Sequence, residues 1–196
     1  MRSKPLTAFA LVLVIAVAIT VILLSAAETP GLYGWARGAA LVGYLFAVLS
    51  IISSAYVRPL VRRYRQPFVR LHHWVSLSAL LLLTLHPVLL VIVMGSPQVL
   101  TAAYTSGEFF RYGGSPALVA FMLAAAAALA RARWNKTWRY IHWLNYLALV
   151  LGTIHAILAG TSAAVLPGMT WVFALAGVAG VIVYPVRRLR ERVSRG

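Results

Sequence analysis

Six apolar runs, each long enough to cross a bilayer as a helix, constrain this chain more than any other feature. They lie near residues 6–27, 37–57, 70–94, 115–132, 138–160 and 168–186. Hydrocarbon offers no water to a stray N–H or C=O, so a spanning segment must satisfy its backbone internally. Runs of this length do so as helices. The breaks carry turn chemistry: Thr29-Pro30-Gly31, Gly95-Ser96-Pro97, Gly113-Gly114-Ser115-Pro116 and Pro167-Gly168. With 62% hydrophobic residues and three acidic residues in 196, the chain has too little polar surface for a soluble domain of its length. The expected fold is an all-α integral membrane protein, one domain over 1–196 built as a six-transmembrane-helix bundle. The first run follows Arg2 and Lys4 and precedes Ser25-Ala26-Ala27, in the manner of a cleaved leader. Its apolar stretch exceeds the about 7–15 residues of a leader core, so it is read as a retained helix.

The basic residues set the expected orientation. Arg2 and Lys4 precede the first run. Arg58, Arg62, Arg63, Arg65 and Arg70 lie between the second and third, Arg131, Arg133, Lys136 and Arg139 between the fourth and fifth, and Arg187, Arg188, Arg190, Arg192 and Arg195 at the end of the sixth or beyond it. Sixteen of 18 basic residues thus fall on one side, leaving Arg37 and Arg111 on the other. The positive-inside rule makes the first side cytoplasmic, with both termini inside. The formal charge of +15 is then a topology signal in contact with anionic headgroups, and nucleic acid is not an expected partner. There is no cysteine, which excludes disulfides, iron–sulfur clusters and thiolate sites.

Histidines supply the chemistry. His72 and His86 are 14 residues apart in the third run; His142 and His155 are 13 apart in the fifth. At about 1.5 Å rise per residue each pair is separated by roughly 20 Å along its helix. Both helices enter from the cytoplasm, so His72 matches His142 in depth near the inner face, and His86 matches His155 near the outer one. Neutral imidazoles from two helices are suited to hold haem iron at both axial positions, an arrangement that favours electron transfer. A single membrane histidine is as well explained by packing or a proton path. Four at two matched depths are not. A non-haem centre or proton pump calls for carboxylates, but Glu28, Glu108 and Glu191 lie in loops or the tail.

Helical phase tests the pairs. A spacing of 14 leaves His72 and His86 about 40° apart, whereas His73 stands about 140° from His86, so His72 is the better ligand. A spacing of 13 puts His142 and His155 about 140° apart. Either a local distortion, for which Gly152 is the candidate, or approach from different flanks must accommodate this. His73 admits two readings, a contact to a haem propionate or an interfacial polar group. Arg70 and Arg139 for the inner haem, and Arg111 for the outer, are propionate candidates and equally ordinary loop cations. Trp74, Trp138, Tyr140 and Trp143 read as an interfacial belt. Pro87 is expected to kink its helix beside His86.

Arg70-Leu71-His72, Leu85-His86, Trp138-Arg139-Tyr140-Ile141-His142 and Ile154-His155 resemble the ferric reductase-like transmembrane domain. That superfamily includes NADPH oxidases, ferric and cupric reductases, and the haem-binding membrane subunit of the periplasmic methionine sulfoxide reductase system. The resemblance runs over essentially the whole chain, and the 14 and 13 spacings are those of the oxidase branch. It implies two b-type haems, cytochrome b fashion, with bis-histidine ligation by His72, His86, His142 and His155, and electron flow outward. It also implies an oxidoreductase, or the electron-transfer subunit of one, in a bacterial or archaeal plasma membrane.

Two departures shape the expected partners. The family's reductases usually continue into flavin and nicotinamide domains, whereas these residues hold no dinucleotide fingerprint. The expected donor is therefore a separate protein, a flavin (bound or on a partner), or membrane quinol. The expected acceptor is ferric iron, dioxygen or a partner oxidoreductase. The stretch from Trp138 to His155, with Tyr146, is also similar to the methionine sulfoxide reductase subunit. That subunit typically lacks a histidine matching His72, so four candidate ligands favour a full two-haem core. The alternatives are that subunit and, from another class, a haem-free transporter or structural membrane protein. Residues 95–114, with Tyr104, Glu108, Phe109, Phe110 and Arg111, form the longest external element and the expected dock or access gate.

Overall fold

The structure is a computed structural model that describes residue 29 and residues 31–64, 68–134, 136–160 and 167–193. The expected first helix, 6–27, lies outside the described residues. Among those described, every regular element is helical: α1 Leu32–Tyr64, α2 Phe68–Met94, α3 Gln98–Thr105, α4 Gly114–Leu129 with a 3₁₀ turn Ala130–Ala132, α5 Trp138–His142, α6 Leu144–Leu158 and α7 Pro167–Val193. Five stretches are long and apolar enough to cross a membrane: Leu32–Tyr56, Phe68–Met94, Gly114–Ala132, Trp138–Leu158 and Gly168–Leu189. They correspond to the second to sixth runs.

The helix ends follow from local chemistry. α1 has 33 residues and so reaches about 50 Å, well beyond a hydrocarbon core of roughly 30 Å. Its excess is the C-terminal end, beyond the apolar span Leu32–Tyr56. α2 stops at Gly95, whose φ of +64° is the left-handed conformation that closes helices and that only glycine adopts freely. The Ser96 hydroxyl then accepts the Gln98 N–H at 3.3 Å, starting α3. That two-turn helix was not anticipated within 95–114.

The described chain divides into two compact units, one made of residues up to Phe46 with Tyr56–Val99, the other of Ala47–Ala55 with Leu100 onward. In the first, small residues let α1 meet α2. A Cβ on Gly43 would come within 3.0 Å of Leu83 Cγ and 3.1 Å of Leu82 Cβ. In the second, α6 packs on α4 on one side and on α7 on another. The buried stripe of α4 is Ala117, Ala120, Phe121, Ala124 and Ala127, a helical repeat of mostly small side chains. α7 closes on α6 through Gly177, where a Cβ would fall 2.6 Å from Thr153 Oγ1, and Gly180, where it would fall 2.5 Å from Leu149 Cδ2. Membrane helices lack a hydrophobic drive to associate, so close backbone approach over small residues supplies the attraction.

Candidate functional site

His86, His142 and His155 are each tied at Nδ1 to a backbone carbonyl. His86 on α2 bonds the Ala36 carbonyl on α1 at 2.9 Å. His142, the last residue of α5, bonds the Ala124 carbonyl on α4 at 3.0 Å. His155 on α6 bonds the Arg111 carbonyl, just before α4, at 2.7 Å. A carbonyl can only accept, so Nδ1 must carry the proton in each case. In the neutral imidazole that leaves the lone pair on Nε2, the nitrogen then suited to a metal.

Small side chains make two of these bonds reachable. Ala36 and Ala124 are both fully buried, at 0% exposure, so nothing larger than a methyl group holds the imidazole off a mid-helix carbonyl. Each carbonyl already serves its own helix, and its second lone pair takes the histidine. His155 is placed differently. A Cβ on Gly114 would lie 2.8 Å from its Nε2, 2.9 Å from Cδ2 and 3.2 Å from Cε1. Those near-equal distances put the missing atom over the face of the ring, so Gly114 is a plate against which the imidazole lies flat.

His72 is half-buried and His73 exposed. Their ring centroids are 6.0 Å apart, and the Ser76 hydroxyl donates to the His72 carbonyl at 2.8 Å. Beside His142 stand the Trp138 ring, 5.7 Å between centroids, and Asn145, whose Nδ2 is 3.3 Å from both ring nitrogens. Equidistant at 3.3 Å, the Asn145 amide stands off the plane of the ring, not at its Cε1 edge.

Arg111 and Arg139 have other neighbours in this structure. Arg111 reaches His155 through its carbonyl, while its guanidinium meets the Glu108 carboxylate at 3.4 Å. The Arg139 guanidinium lies 5.9 Å from the Trp138 ring centroid, a cation–π distance. Arg70 is exposed. Trp74, Tyr140 and Trp143 are exposed as an interfacial belt would be, with Tyr140 and Trp143 edge to face at 5.9 Å. Pro87 sits inside α2, which runs on to Met94; lacking an N–H, it removes the bond to the Leu83 carbonyl.

Trp143 stands between α5 and α6, within the 13-residue interval from His142 to His155. Its N–H is shared between the Arg139 and Tyr140 carbonyls at 3.2 Å each, and its carbonyl accepts the Tyr146 N–H at 2.9 Å. The bonds to the Tyr140 carbonyl and from the Tyr146 N–H are i to i+3, a tighter turn than the α-helix on either side. The distortion is at Trp143; Gly152 lies within the regular helix α6.

Residues 35–153 match the family model described as ferric reductase like transmembrane component, a stretch covering more than half of the chain. The chain belongs to the ferric reductase-like transmembrane family. The matched stretch of this ferric reductase-like protein includes His72, His86 and His142 and ends two residues before His155. Neither the curated proteins nor the solved structures gave a match. Family and helices together make it a multi-pass membrane protein in contact with the lipid bilayer.

Sequence reasoning found the histidines but not Gly114, Asn145 or the three carbonyls. Gly113-Gly114 was legible only as a turn. Asn145 did carry a signal, three residues from His142 on one helix face. Among the described residues no three His, Asp or Glu side chains converge as a metal cluster. The donor set is instead single imidazoles with Nε2 as acceptor, and a flat seat against Gly114. That chemistry fits axial haem ligation, which asks one imidazole from each of two helices.

Proposed function

We propose that this ferric reductase-like protein carries electrons one at a time across the membrane through two bis-histidine b-type haems. His72 and His142 would hold the inner haem, His86 and His155 the outer. The donor is a cytoplasmic protein, a flavin or membrane quinol; the acceptor is ferric iron, dioxygen or a partner oxidoreductase. The observation that carries this reading is the Nδ1 bond from His86, His142 and His155 to backbone carbonyls. It selects one tautomer, fixes ring orientation and strengthens Nε2 as a donor, which is how proteins prepare metal-binding imidazoles. Haem supplies one-electron redox chemistry when bound. The chain contributes ligation, a low-dielectric shell of alanine and leucine, and separation of the two sites by roughly 20 Å along each helix. Arg70, Arg139, Arg111 and His73 remain candidates for the propionates, requiring the Arg111 guanidinium to leave Glu108.

The test is a haem-to-protein ratio with the dithionite-reduced spectrum. Two haems per chain and a b-type α band are expected. His86→Ala and His155→Ala are each expected to remove one haem, the same one. A purified chain without a Soret band would sink the haem reading in favour of a haem-free transporter or structural protein. Loss of both haems from a folded His155→Ala chain would overturn the pairing by depth.

A second reading makes the chain the haem-binding membrane subunit of a two-component methionine sulfoxide reductase. The exposed rings of Tyr104, Phe109 and Phe110 favour it, because a small acceptor needs no apolar platform. Reoxidation of the reduced protein by a ferric chelate or dioxygen alone supports the first reading. A requirement for a soluble oxidoreductase supports the second.

A further inference from the structure

We propose that the turn Glu108–Gly114 is a two-point clamp on His155, with Gly114 as a positioning residue that tunes the outer site. The inference rests on reading His155 as a haem ligand. One point of the clamp is the hydrogen bond from Nδ1 to the Arg111 carbonyl, 2.7 Å, which fixes the direction of the ring within its plane. The other is the backbone of Gly114, over which the ring lies flat; the space a Cβ would fill is 2.8–3.2 Å from Nε2, Cδ2 and Cε1. Together they set both side-chain torsions of His155 and leave the Nε2 lone pair pointing away from the turn.

The turn that carries both points is itself braced. The Tyr112 N–H donates to the Glu108 carbonyl at 3.1 Å, the Gly113 N–H to the Phe110 carbonyl at 3.3 Å, and the Ala117 N–H to the Gly113 carbonyl at 3.0 Å. The Arg111 guanidinium closes back on Glu108. Gly113 is tight for a side chain, since a Cβ would meet the Phe110 carbonyl oxygen at 3.1 Å. The carbonyl facing His155 is therefore held in place. A held acceptor at Nδ1 makes the imidazole a stronger electron donor, which stabilises ferric over ferrous iron and keeps the potential of that haem low. A methyl group at Gly114 would lift the ring off its seat and lengthen the Nδ1 bond.

Gly114→Ala tests this in the purified full-length protein, with Gly152→Ala as control, because a Cβ on Gly152 meets only the Ala117 methyl at 4.0 Å. Redox titration is expected to show one of two midpoint potentials shifted upward in Gly114→Ala and neither shifted in Gly152→Ala. One of two low-spin ferric resonance signals should change with it. A thermal-denaturation cycle adds a readout independent of haem. Gly114→Ala is expected to lower the midpoint in the parent chain but not in a His155→Ala background, where the ring is gone. Unchanged potentials and signals, or an equal thermal loss in both backgrounds, would overturn the clamp. If Gly114→Ala alone cannot be purified, recovery in the His155→Ala background supports it and continued loss overturns it. A parent chain without haem overturns the function proposed above instead, and the thermal cycle still decides whether Gly114 is matched to the His155 ring.

Discussion

Ala36 and Ala124 act through what they lack. Each is buried on one helix and lets a histidine of another reach its carbonyl, so their smallness sets the tautomer of His86 and His142. Ala124→Leu should therefore push the His142 ring away from the 3.0 Å bond and cost about 1–3 kcal/mol by overpacking. On the proposed two-haem function, the expected outcome is a haem-to-protein ratio falling from two towards one, with a lowered thermal midpoint, while Ala126→Leu on the exposed face changes neither. An unchanged ratio in Ala124→Leu would show that the carbonyl does not orient His142. The histidines themselves stood out in the sequence because imidazoles are rare and costly in hydrocarbon. Their carbonyl partners did not, because residues 124–128 are five consecutive alanines and any of those carbonyls looks alike.

Elements were read more securely than their irregularities. Hydrocarbon thickness dictates helix length, and the second to sixth runs coincide with the five candidate spans to within a few residues. Two features escaped. One is α3, a two-turn helix started by Ser96 inside what composition marks as a loop. The other is the break at Trp143, where an N–H shared between two carbonyls separates two helices nine residues before Gly152. Such a break depends on how the neighbouring carbonyls are shared, which has no signature in residue type. The α6–α7 seam offers a clean test at this scale. Gly180→Val would place its Cβ 2.5 Å from Leu149 Cδ2 and should destabilise the protein by about 1–3 kcal/mol, read as a lower thermal midpoint. Pairing it with Leu149→Ala should recover part of the loss. No recovery would mean the two residues are not in contact.

For the whole molecule, the asymmetry of charge is the strongest directional statement, with 16 of 18 basic residues assigned to one side. Because the chain has no cysteine, single cysteines can report it without background. A membrane-impermeant maleimide should label Ser96→Cys in intact cells and Lys136→Cys only after permeabilisation. The reverse pattern would invert the topology and exchange the inner and outer sites. The sequence by itself determined that the chain lives in a membrane, how long its helices are, and which imidazoles are available. Those follow from local rules: backbone groups must be satisfied within each span, and rare polar side chains stand out against an apolar background. Only the tertiary structure decided what holds the imidazoles. Which carbonyl receives Nδ1 and which glycine seats His155 are matters of close approach between helices. Close approach depends on small residues, and alanine and glycine are too common in such helices to announce which of them is in contact.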